Sequence, residues 1–246
     1  VNVRIDAGGY TLLGRLYGPN KNSRRLPAAL FLRGWSPGLP RTFMETHASL
    51  CARKLGMTCL AAEFRGMGSP GDANALTRFD FLKDALAAYD ALYKTENVDT
   101  ENIFVVGESL GAYLACLLTA ERAVKGLVLR VPADFPDEGF ADEADLSRTI
   151  KRTFGWRGQA HKPGESMALG AVSRFRGDVL IVASGRDALI PKQTTDNFLA
   201  ATEGRAALIC MEKAGHALIS PFKHKQFQRM LVEWLCRRVT CLGGHA

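Results

Sequence analysis

Ser109 stands between two glycines in Gly107-Glu108-Ser109-Leu110-Gly111, directly after the apolar run 103–106 and directly before the helical stretch 112–120. This pattern places the serine on a tight strand-to-helix turn. Such a turn forces an unfavourable backbone conformation, which survives only where the neighbours cannot clash. Gly107 and Gly111 lack Cβ atoms and allow that packing. The hydroxyl then projects above the strand ends, and the helix N-terminus behind it favours negative charge as it develops. A serine hydroxyl is a poor nucleophile near neutral pH and needs a base. His216, in the stretch 213–218, follows the last expected strand and falls on a loop at the same sheet edge as Ser109; His47 and His224 compete with it. The base in turn needs an acid to hold its tautomer and stabilise the imidazolium. Asp187, in the stretch 184–191 after the preceding strand, fits that place, and Asp134, after the strand at 127–131, is its rival.

The elements that must position these groups are short apolar runs separated by amphipathic segments. The N-terminal 1–5 and 10–19 alternate around Gly8-Gly9 and read as an antiparallel hairpin. Runs at 28–32, 57–62, 103–106, 127–129, 179–182 and 207–210 are apolar on both faces, which suits central strands of a parallel sheet covered by helices. Helical periods fall at 47–55, 79–93, 110–120, 197–202 and 227–239. Strands alternating with helices predict an α/β fold, a mostly parallel central sheet with helices on both faces. One connection is too long for a simple crossover, since about a dozen residues suffice for one. Residues 133–172, acidic first and basic later, with a helix expected over 145–154, therefore read as a small lid insertion.

Composition narrows the class. The 246 residues are 47% hydrophobic and 23% charged, as expected of a single soluble globular domain, 1–246. No run approaches the roughly 20 apolar residues that span a bilayer, and the opening carries neither a basic leader nor an apolar signal core. The net charge is +7, but the basic residues are dispersed in short pairs such as Arg24-Arg25 and Arg237-Arg238. They read as a solvated surface rather than a nucleic-acid stripe. Cys51, Cys59, Cys116, Cys210, Cys236 and Cys241 form no C-x-x-C pair and mostly sit in apolar stretches, as buried reduced thiols of a cytoplasmic protein would. The histidines at 47, 161, 216, 224 and 245 show no metal-binding spacing, so neither a metal nor another cofactor is expected.

The order Ser109, Asp187, His216, with the local motifs GESLGA, SGRDALIP and KAGHAL, resembles the α/β-hydrolase family over nearly the whole chain. Within it the motifs are similar to the esterase branch and to the prolyl-oligopeptidase-like or dienelactone-hydrolase-like branches. The stretch 64–69 also resembles an R-G-x-G-x-S loop common there, which we read as a structural turn. The resemblance implies an oxyanion hole made by the backbone amides of Trp35 and Leu110. Family members usually carry His-Gly at that loop, whereas this chain has Arg33-Gly34. Arg33 is thus a candidate for binding a substrate carboxylate or for pairing with a buried acid. The implied activity is hydrolysis of a small or medium carboxylic ester through an acyl-enzyme. A thioesterase or an amidase or peptidase using the same triad is the alternative, as is a binding protein on the same fold. Phe135 and Trp156 are candidates for the substrate pocket, with lid anchoring as their other reading. The expected partner is a small acyl substrate, without nucleic acid or membrane.

Overall fold

The computed structural model describes residues 1–19, 25–38, 42–68 and 70–239. Ser69, Arg24, Cys241 and His245, named above, lie outside them. Eight strands are described: β1 (Asn2–Asp6), β2 (Thr11–Tyr17), β3 (Leu26–Leu32), β4 (Thr58–Ala62), β5 (Val98–Glu108), β6 (Gly126–Arg130), β7 (Asp178–Ser184) and β8 (Ala206–Met211). They form one sheet in the order β1-β2-β4-β3-β5-β6-β7-β8. β2 runs antiparallel to β1 and β4, and the remaining neighbours are parallel. The β1–β2 hairpin turns through Gly8 and Gly9, both at positive φ (69° and 90°). The helices are α1 (Thr42–Leu55), α2 (Pro70–Asn74), α3 (Arg78–Tyr93), α4 (Leu110–Leu118), α5 (Leu146–Arg152), α6 (Phe154–Arg157), α7 (Met167–Arg174), α8 (Lys192–Ala201) and α9 (Pro221–Val239).

The apolar runs are continuous because both sheet faces are covered, and successive side chains serve opposite faces. Ile103 and Val105 of β5 join a core with Phe81 of α3, Leu114 of α4, Leu169 of α7 and Phe198 of α8. Phe104 and Val106 turn the other way, against a core that includes Cys51 of α1 and Leu231 and Trp234 of α9. The strand β8 departs from this pattern. It forms the sheet edge, and Leu208, Ile209 and Cys210 are exposed, so Cys210 is not the buried thiol expected. Cys51, Cys59 and Cys116 are buried. Among the described residues, no helix is long and apolar enough to cross a membrane.

The predicted insertion is shorter than 133–172. Its last part, α7, is a buried element of the core, packed near α4 and α8, and acts as the crossover helix into β7. Ser166 caps it, accepting from the amides of Ala168 and Leu169. Eight residues make too few turns for periodicity to separate such a helix from its irregular surroundings. The remaining excursion is tied down on two sides. On one, the buried Arg78 donates to the carbonyls of Pro136 (2.6 Å) and Glu138 (2.5 Å), and the Asp145 amide donates to the Asn74 carbonyl (2.7 Å). On the other, Thr194 and Asn197 of α8 donate to the carbonyls of Arg157 and Gln159, both at 2.9 Å.

Arg78→Ala would strand two carbonyls and remove the cation packed over Phe135 and Phe140. The expected cost is about 2–4 kcal/mol in urea denaturation, with faster limited proteolysis within 136–145. Unchanged stability and cleavage would show that the excursion is held by other contacts.

Candidate active site

Strand register brings the candidate groups to one rim of the sheet. Leu32 pairs with Gly107, Glu108 with Arg130, and Ser184 with Met211, so the loops after β3, β5, β7 and β8 all leave at the same edge. At the end of β5, Ser109 adopts φ 52° and ψ −114°. This positive-φ conformation costs a non-glycine residue roughly 1–3 kcal/mol. It is fixed by the Ser109 amide donating to the Arg130 carbonyl (2.9 Å), and by the Ser109 carbonyl accepting from the amides of Ala112 (3.0 Å) and Ala133 (3.2 Å). The glycines are required sterically. A Cβ on Gly107 would collide with the Gly111 carbonyl, and one on Gly111 with the Leu32 carbonyl. A Cβ on Gly34 would stand 3.2 Å from that of Ser109, so the loop after β3 runs directly against the serine.

His216 Nδ1 lies 2.9 Å and 3.1 Å from the two carboxylate oxygens of Asp187. Burial pushes the Asp187 carboxyl up, but the His216 hydrogen bond and charge outweigh this. With the amides of Ile190 and Leu189 they hold it below the ordinary carboxylate value. An ionised carboxylate only accepts, so Nδ1 carries the proton and the lone pair of the neutral ring resides on Nε2. Ser109 and His216 line one pocket of about 430 Å³, whose walls include Trp35, Phe43, Met44 and Leu218. Phe43 and Met44 open α1 ahead of the stretch 47–55 where its apolar period is clear, so the sequence alone does not mark them.

The structure brings together Ser109, Asp187, His216, and the residues of the two backbone amides. Trp35 lines the pocket beside Gly34, and Leu110 opens α4. Arg33 also borders the pocket but is 4% exposed. Its Nη1 contacts both carboxylate oxygens of Glu63 (2.6 and 2.7 Å), and its Nη2 donates to the carbonyl and hydroxyl of Ser36. Phe135 lies elsewhere, buried edge-to-face on Tyr113 of α4 at 5.1 Å, and Trp156 stacks on His161 at 3.9 Å. Both fasten the excursion after β6, and neither borders the pocket. The rival base His47 is fully buried among Phe43, His224 and Phe227, where burial pushes its pKa down; His224 is lowered by the same cause. Arg65 of the R-G-x-G-x-S stretch bonds buried Asp84 through its Nε (2.7 Å) and its amide (2.8 Å), which makes that loop a structural turn.

With this geometry, the chain belongs to the alpha/beta hydrolase family, whose model matches residues 29–226. An uncharacterized protein of Mycobacterium tuberculosis (strain H37Rv) is 25% identical over 224 residues, covering 87% of this chain and 72% of that protein. Among solved structures, Est1E from Butyrivibrio proteoclasticus with ferulic acid bound matches with a TM-score of 0.75 at 19% identity, over 97% of this chain and 99% of that one. A propionate-bound thermophilic esterase from Thermogutta terrifontis matches with a TM-score of 0.73 at 20% identity, over 100% and 95%. At these identities the structural likeness shows the fold.

The rival acid Asp134 is buried and bonded by Ser166 Oγ (2.5 Å) and the Phe135 amide (2.9 Å). Burial pushes its pKa up to about 7, the two hydrogen bonds opposing. The native state therefore keeps a proton that the unfolded chain has released, and Asp134's own contribution to stability falls as pH rises from about 4 to about 7. Asp134→Asn is expected to flatten that decline by roughly a few kcal/mol, measured as urea midpoints at pH 5 and pH 8. Parallel profiles for wild type and variant would show that Asp134 is ionised throughout.

Proposed function

We propose that this hydrolase-family protein cleaves carboxylic esters of small or medium acyl groups, with Ser109 as nucleophile, His216 as general base and acid, and Asp187 as the orienting acid. The observation that carries this reading is the shared pocket of Ser109 and His216, with the ring tautomer set by Asp187 at 2.9 Å. The neutral Nε2 accepts the Ser109 proton as Oγ attacks the acyl carbon. The oxyanion rests on the Trp35 and Leu110 amides, the latter aided by the α4 N-terminus. His216 then protonates the leaving alkoxide, and in the second half it activates the water that releases the acid.

The pocket also supports a substrate class. Its volume, about 430 Å³, is within the range of small-molecule sites. Trp35, Phe43, Met44 and Leu218 give it an apolar wall. Arg33 is engaged by Glu63 and Ser36, so its charge is answered within the protein and a neutral acyl chain is the better match. Ester-bearing small molecules, rather than nucleic acid or membrane, are the partners this pocket suits.

Wild-type protein is expected to bind a fluorophosphonate probe covalently and to hydrolyse p-nitrophenyl butyrate. Ser109→Ala should abolish labelling and lower kcat on the order of 10⁴-fold or more, and Asp187→Asn should lower kcat roughly 10³-fold or more by releasing the wrong tautomer. Full turnover by Ser109→Ala would reject the assignment.

A further inference from the structure

Arg130 ends β6, a strand otherwise made of Gly126, Leu127, Val128 and Leu129, and it is 1% exposed. A buried ion pair is poor evidence for stability, since an apolar pair of similar volume usually serves as well. The bonds Arg130 makes suggest another use. Its main-chain carbonyl accepts from the Ser109 amide at 2.9 Å. Its Nη1 pairs with Glu108, the residue before the serine. Its Nη2 donates to the main-chain carbonyl of His216 at 2.5 Å. The guanidinium also lies over the rings of Phe43 (6.0 Å) and Phe227 (5.8 Å), which border it from α1 and α9. Arg130 is not among the residues that line the pocket, so it reaches no substrate.

We propose that Arg130 is a positioning residue for the acyl transfer assigned to this site. It registers the loop bearing His216 against the turn bearing Ser109. The inference rests on the triad reading above. Asp187 fixes the rotation of the imidazole, and Arg130 fixes where the His216 main chain stands. These are separate degrees of freedom, and both matter, because proton transfer is steeply sensitive to placement. Only a planar fork can serve the Glu108 carboxylate and the His216 carbonyl at once; an ammonium is a single point charge on a flexible stem. Glu108, which lines the pocket, explains how the cation stays in a site walled by aromatic rings: the pair neutralises itself at the pocket wall.

Two variants test this. Arg130→Lys keeps a cation for Glu108 but not the fork. The double variant Glu108→Gln/Arg130→Met removes both charges, so no carboxylate is left unpaired. Fluorophosphonate titration of wild type and variants counts the reactive serines, and kcat per titrated serine and KM are then measured on p-nitrophenyl butyrate. The expected result is a fall in kcat per serine of roughly 30-fold in both variants, with KM within about twofold of wild type and melting transitions retained. Wild-type kcat per serine in either variant would overturn the proposal, as would a raised KM with kcat unchanged. Loss of a cooperative melting transition in both variants would make Arg130 a stability residue and overturn it equally. A wild-type protein that neither labels nor hydrolyses would instead refute the triad reading, and this inference with it.

Discussion

The backbone of Ser109 is the constraint around which the rest is arranged. A serine at φ 52° is not a conformation the chain adopts freely, and it persists because every neighbour makes room or supplies a bond. Gly107, Gly111 and Gly34 each sit where a side chain would meet another strand, the helix or the serine itself. That close approach requires β3, β5 and β6 to be adjacent and in register, which the Leu32–Gly107 and Glu108–Arg130 pairings provide. The two cores on either face then hold the central strands rigid enough to keep a strained residue in place.

Around that turn, charge is handled in closed pairs. Arg33 with Glu63, Arg65 with Asp84, Arg130 with Glu108 and His216 with Asp187 all join a partly or wholly buried base to an acid close by. The chain carries a formal +7, yet the site itself is close to balanced. Low-dielectric surroundings strengthen each pair and make any unpaired member costly. With the side-chain charges answered in pairs, the oxyanion of the reaction we propose would fall to fixed amide dipoles such as the N-terminus of α4.

Much of this was legible in the sequence, for identifiable reasons. The turn at Ser109 announces itself because glycine spacing and strand-to-helix context are both local. Asp187 and His216 were legible because each follows an apolar run by a few residues, which fixes the sheet edge at which it emerges. What was not legible depends on long-range placement. Phe135 and Trp156 are apolar aromatics in an irregular segment, and composition cannot say which surface such residues meet; one entered the core beside Tyr113 and the other stacked on His161. Periodicity could not reveal α7, whose eight residues are capped by Ser166. The apolar character of β8 suggested burial on both sides, but its edge position overrides that. The charge of Arg130 at the end of an apolar strand is visible in the sequence, but its place opposite Glu108 emerges only from the strand register.

The edge position of β8 has a kinetic meaning. The imidazole of His216 is carried by the loop after a strand with a single sheet neighbour, β7, whereas the serine follows β5, which is paired on both sides. Outer strands with exposed side chains are the first to fray on warming, since few contacts resist local opening. The two halves of the pocket thus belong to regions of unequal durability. Any opening at the outermost strand would carry the imidazole away from the serine while the doubly paired centre stays folded, so the margin of the sheet, as much as its heart, bears on how long the pocket holds together.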